Sequence, residues 1–176
     1  MNALTRTPQN TNLLQPSKFI LAFNRLPTVQ YFCQEANVPG VSLGNATLNT
    51  PLLDVPVAGE KLSYEEFDVT FMVDEDMQSW NELYNWLLAI GSPKSIAARQ
   101  QLNALQNTNN TPTNYYSDAT LTIMSALNNP VVRINFQRMF PVSLSEIRFD
   151  VQNSADTIVT ATAKFRYSYF EIASTS

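Results

Sequence analysis

Eight of the fifteen carboxylates in this 176-residue chain fall between Glu60 and Glu82: Glu60, Glu65, Glu66, Asp68, Asp74, Glu75, Asp76 and Glu82. Oxygen ligands so concentrated could hold a hard cation, or two of them could work as a general acid/base pair on a glycosidic bond. A calcium loop needs a glycine inside a tight turn, and none stands between Gly59 and Gly91. Histidine is absent and Cys33 is the single cysteine. That removes histidine-based nucleophilic triads, thiolate zinc sites and an intrachain disulfide. Gly40, Gly44, Gly59 and Gly91 match neither the dinucleotide nor the P-loop spacing. No catalytic residue, metal ligand or cofactor is expected.

The acids make better sense as punctuation. In FDVTFMVDEDMQSWNELYNWLLAIG (67–91), Phe67, Val69, Phe71 and Val73 alternate as in a half-buried strand. From Met77 the period changes: Met77, Trp80, Leu83, Tyr84, Leu87, Leu88 and Ile90 recur at helical spacing. Asp74 then serves as the helix N-cap, worth about 1 kcal/mol. Glu75 and Asp76 occupy its first turn, each worth roughly 0.3–1 kcal/mol against the dipole. Gly91 and Pro93 end the helix. On this pattern Trp80 is core, and Trp86, off the centre of the stripe, is an anchor for a partner subunit. A sugar- or base-stacking platform of Trp80, Tyr84 and Trp86 is the alternative.

Around this unit the chain is 44% apolar, 15% charged and carries a net charge of −4, which suits a folded domain and lacks a basic nucleic-acid footprint. Residues 1–17 form an Asn- and Thr-rich N-terminal arm, and 18–176 a single domain. KFILAF (18–23) and VQYFCQEA (29–36) predict strands. Three prolines and three glycines chop residues 37–61 into short extended pieces, predicting a projecting loop or loose hairpin over 44–61. The change of parity at Leu62 and Tyr64 predicts a bulge near Glu65–Glu66. Residues 92–117 are an insertion dissolving into Asn/Thr/Pro loop. ATLTIMSA, VVRINFQR, VSLSEIRFDVQ and TIVTATAKFRYSYFEI predict further strands broken by NNP, FP and NSAD, roughly seven in all. The fold class is mainly β with one flanking α-helix (α+β), built from antiparallel sheets as a sandwich or small barrel. Leu48, Leu52, Leu53, Val55 and Val57, with little charge among them, are candidate interface residues. Arg133, Arg148, Lys164 and Arg166 lie on polar strand faces, as a phosphate patch or as a solvated, paired surface.

With FCQEANVPGVSLG (32–44), the run from Pro51 through VDED to Leu87, FPVSLSEIRFD (140–150) and ATAKFRYSYFEI (161–172) in view, the chain resembles the tail-tube family of contractile-tailed bacteriophages. The likeness runs from about Pro16 to Ile172. It implies hexameric rings whose sheets join into a continuous barrel, stacked through loops around a channel that passes DNA. It also implies a structural protein of the virion tail, assembled in the host bacterial cytoplasm. Its partners would be copies of itself, the tail sheath, and baseplate, hub or terminator proteins, with DNA only in transit and no membrane. The family includes the repeating tube subunit and copies at the tube's ends, and the 92–117 insertion favours a copy with an additional partner. A lumen that lets DNA slide should be neutral or acidic, so Lys164 and Arg166 are expected to meet acids or another subunit. A tube of a related bacterial secretion system and a small carbohydrate-binding β-domain are the alternatives.

Overall fold

The computed structural model describes residues 12–91, 115–150 and 158–174. The elements are β1 (Phe19–Phe23), α1 (Pro27–Tyr31), β2 (Cys33–Ala36), β3 (Val41–Asn49), β4 (Asp54–Tyr64) and β5 (Phe67–Met72). They continue with α2 (Gln78–Gly91), β6 (Ser117–Met124), β7 (Pro130–Leu144), β8 (Thr160–Arg166) and β9 (Tyr169–Ser174). Every strand pair is antiparallel. The main sheet runs β1-β6-β7-β8-β5-β2, with β9 also on β7, and β3 and β4 stand apart as a two-stranded sheet.

β7 is the spine. Its first half pairs with β6 and β9, and its last residues, from Phe140, pair with β8. The sheet bends where it changes partners. There Arg138 adopts φ 54°, a left-handed value, and donates its N–H to Asp118 Oδ1 at 2.9 Å. The bend folds the sheet over its own apolar face. Phe67 of β5 meets Phe136 of β7 with ring centroids 4.5 Å apart, and Phe23 of β1 meets Phe165 of β8 at 5.3 Å. Alternation places these residues inward: β5 reads buried, half-buried in strict turn from Phe67 to Met72. Fully burying each such phenylalanine contributes about 1.5–3 kcal/mol. The path ends, β1 and β2, do not pair with each other, so among the described residues the fold is an open sandwich and not a closed barrel.

Several local expectations change. Residues 29–31 belong to helix α1, not to a strand. Pro27 presets its first turn, Val29 enters the core, and Gln30 Oε1 accepts the Phe23 N–H at 3.0 Å, so tertiary contacts override the β-propensity of Val and Tyr. Phe140–Pro141 is no turn, because β7 runs through it. The strand expected over 142–152 ends at Leu144. The long last strand is two, β8 and β9, parted at Tyr167–Ser168. Glu65–Glu66 is a break where β4 leaves β5, not a bulge within one strand. Among the described residues there are nine strands, where roughly seven were expected. Residues 1–11 of the arm and 92–114 of the insertion lie outside the described residues.

The region expected to be a loop or loose hairpin is a regular antiparallel ladder from Val41↔Tyr64 to Asn49↔Asp54, closed by Thr50 and Leu53. Its register shifts between Leu43 and Asn45. There Gly44 and Gly59 cross so closely that a Cβ on Gly59 would strike the Gly44 carbonyl oxygen. Backbone cannot retreat as a side chain can. Gly59→Ala should therefore loosen β3–β4 while leaving the core melt within about 0.5 kcal/mol of wild type, because the hairpin contributes no core residue. Hydrogen exchange by mass spectrometry resolves the two regions, and unchanged protection over 41–64 would refute the steric account.

Candidate assembly surface

The acidic cluster does not survive folding as a cluster. Among the described residues no three of His, Cys, Asp and Glu are placed to hold a metal ion. Asp74 is a cap, as expected, but at longer reach. The chain makes a turn first, with Met77 N–H on Asp74 O at 2.9 Å and Met77 at φ 53°, and α2 starts only at Gln78. The Asp74 carboxylate accepts the N–H groups of Gln78 and Ser79, both at 2.9 Å, and the Ser79 hydroxyl at 2.7 Å. Desolvation opposes its charge, yet the bonds from Ser79 and Gln78 prevail and hold its pKa down to about 2. Glu75 and Asp76 lie in the preceding turn, outside the helix's first turn where they were expected.

Glu66 and Asp68 serve a different purpose. Lys164 Nζ lies 3.8 Å from Glu66 and 3.6 Å from Asp68, and Arg166 Nε lies 3.3 Å from Glu66. Cross-strand pairing of Asp68 with Lys164 sets this geometry. The cations of β8 are thus neutralised on their own sheet. Arg148 pairs with Glu146 at 2.6 Å. Glu82 Oε1 accepts the Thr28 hydroxyl at 2.7 Å and ties α1 to α2.

Trp86 is not an interface anchor. It is 2% exposed, its Nε1 donates to Tyr115 O at 3.1 Å, and the Arg25 guanidinium sits 5.2 Å over its ring. The helix presents Ser79, Leu83, Trp86 and Ala89 to the core, a stripe rotated from the one its hydrophobicity suggests. Ser79 explains the rotation. Bonded to Asp74 and to Met72 O, its hydroxyl is satisfied in a fully buried position that its low hydrophobicity does not suggest. Trp80 packs half-buried, stacked on Tyr84 at 5.2 Å with its Nε1 on Ser145 O. Without Trp86, the sugar platform dissolves.

What remains is apolar and uncovered. Leu48, Leu52, Leu53, Val55 and Val57 are all exposed, Leu52 at 98%. By alternation Val41, Leu43, Leu62 and Tyr64 share one face of the hairpin. Beyond the glycine crossing, Ala46, Leu48, Val55 and Val57 share the other. The base faces its own domain, where Tyr64 lies 5.5 Å from Phe170 and 5.9 Å from Tyr167. The distal half turns its apolar side the opposite way.

A body of this shape is matched among known proteins. The family described as phage tail tube protein matches residues 8–173. The chain belongs to the phage tail tube family. That family is structural and not enzymatic, which makes this chain a component of a phage tail and so of the virion. A curated relative, the tail tube terminator protein of Enterobacteria phage T4, is 24% identical and covers 92% of this chain and 89% of its own length. Two solved structures share the fold over nearly their whole lengths. The tube-terminating cap of the anti-feeding prophage superimposes with a TM-score of 0.63 at 14% identity, covering 99% of each chain. The sheath/tube terminator of the extracellular contractile injection system PVC gives 0.60 at 13% identity, covering 92% of this chain and 97% of its own.

Two outcomes are expected from these contacts. Asp74 contributes stability that is full above about pH 4, the ordinary carboxylate range, and is lost as pH falls toward about 2. Asp74→Asn should therefore flatten the acid limb of the pH–stability curve between those values, and calorimetry across that window would show it. Trp86→Ala should cost about 3–5 kcal/mol in chemical denaturation. A merely assembly-defective, fully stable variant would contradict its place in the core.

Proposed function

We propose that this chain closes the end of a contractile tail tube, assembling with copies of itself into a hexameric ring that stacks on the last ring of the tube and meets the sheath. The observation that carries this reading is the hairpin: residues 41–64 form an antiparallel ladder and place no residue in the buried core of their own chain. An isolated two-stranded hairpin is marginal in water, so its apolar distal face calls for a neighbouring protein surface. The terminator assignment rests on the near full-length likeness to the phage T4 terminator and to the two caps. Passage of DNA fits the neutralised β8 cations, since counterion release at bare lysine and arginine would hold phosphate in place. Folding and assembly belong to the host bacterial cytoplasm.

Negative-stain images of the purified chain at micromolar concentration should show rings, and deletion of residues 48–57 should leave folded monomers. Intact stacking of that deletion variant would remove the hairpin from the account. Mixed with the tube protein of the same tail, the chain should bind one end and stop elongation. Incorporation along the tube's length would make it a repeating subunit instead. Glu66→Gln combined with Asp68→Asn, which together release Lys164 and Arg166, should create salt-sensitive DNA binding in a filter assay where wild type shows little.

A further inference from the structure

We infer that the β3–β4 hairpin is a jointed arm with two positions: it stands off the domain in this structure, and in a chain without neighbours it folds down over β9. The ring reading above supplies what holds the arm up, and the joint adds a means by which a lone chain hides apolar surface. Fixed points flank the joint. On the domain side, Asn37 Nδ2 donates to Glu66 O at 3.2 Å, and the Asp68 N–H donates to Asn37 Oδ1 at 2.8 Å. On the hairpin side, the Glu65 N–H donates to Gly40 O at 3.0 Å, and the ladder begins at Val41↔Tyr64. Between these points lie Val38 and Pro39 in one connection and the Glu65–Glu66 peptide in the other. Rotation about those few backbone angles moves the whole hairpin as one body. The Tyr167 hydroxyl, donating to Glu65 O at 3.0 Å, marks the pivot. Among the described residues β3 and β4 pair only with each other, so no ladder to the domain resists the motion.

The arm closes on an unfinished part of the sandwich. β8 pairs with β5 in one layer and β9 with β7 in the other, so the chain crosses between layers at Tyr167–Ser168. β4 leads into β5 and prolongs the first layer, which sets it across the gap from β9. One rung of that facing is already made, where Tyr64 meets Phe170 and Tyr167. The next rung is open. Two residues further from this corner, Leu62 is 55% exposed and Ile172 is 64% exposed, although alternation turns both toward the gap. Leu62 shares its side of the hairpin with Val41 and Leu43, which are exposed as well. Ile172 lies opposite the buried Ile134, on the core side of β9. Two apolar faces thus meet at one corner and gape into water beyond it. Packed sheets lie about 10 Å apart, and closing to that spacing takes Val41, Leu43, Leu62 and Ile172 out of water together. Loss of that apolar contact with water drives the arm down in a lone chain. A neighbouring copy that binds only the raised arm shifts the balance back.

Distances between spin labels test the joint. In a Cys33→Ser background, labels at Asn49→Cys on the hairpin and Ala173→Cys on β9 report how far the arm stands off. For rings, the labelled chain is diluted into a large excess of unlabelled chain, so that only pairs within one copy are read. The distance should be shorter in dilute monomer than in rings by at least about 5 Å, half the spacing of packed sheets. Leu62→Ser and, separately, Ile172→Ser should each lengthen the monomer distance to the ring value and speed ring formation. Neither side chain is buried, so the core melt should stay as in wild type. A monomer distance equal to that in rings would overturn the joint and leave the ring standing. Serine variants that both keep the wild-type monomer distance would overturn the apolar contact that closes it. Closed monomers that never form rings would remove the ring reading and leave the folded-down arm in place.

Discussion

A strand edge with bare N–H and C=O groups must find a second strand or accept water, and in this chain Tyr64, Tyr167 and Phe170 decide where that demand arises. Their rings pack together where β4 leaves the layer, and there β4 pairs with β3 and β9 with β7. The layer divides there into a core-bearing sandwich and a hairpin that shares no core with it. The sandwich can therefore be stable as a single chain, while the hairpin and β9 carry the unfinished hydrogen bonding. The buried core and the open strand edges lie in different parts of the molecule.

Charge follows the same division. The paired cations and acids of β5 and β8 lie on the outward face of a sheet whose inward face is phenylalanine, valine and alanine. Exposed ion pairs of this kind contribute little to stability, about 0–1 kcal/mol. Their effect is to cancel a field that would otherwise attract polyanions. Four of the acids that looked like a ligand cluster in sequence thus serve as a cap (Asp74), an inter-helix tie (Glu82) and this cancellation (Glu66 and Asp68).

Much of this could be read from residue order alone. Alternation from Phe67 to Met72 identified β5 and its buried face, since a strand's side-chain period is fixed by its backbone. Asp74 marked the strand-to-helix junction because a carboxylate there satisfies orphan N–H groups wherever the helix begins. The absence of histidine and the single cysteine excluded histidine-based triads, thiolate zinc sites and an intrachain disulfide. The apolar, weakly charged stretch around Leu48 and Val57 marked a segment that the fold leaves exposed.

Other features depended on neighbours distant in sequence. The helix face was misread because Ser79 is drawn inward by Asp74 and Met72, and Trp86 is kept in the core by Tyr115 and Arg25. Val29 and Tyr31 have strand propensity, but Pro27 and the contacts of Thr28 and Gln30 made them helical. The division of the last strand at Tyr167–Ser168 has no local signal at all; it exists because Tyr64 arrives there from the other side of the layer. Periodicity and composition are properties of a segment and its own backbone. Which face is buried, and which edge is left open, is settled only when segments compete for the same space.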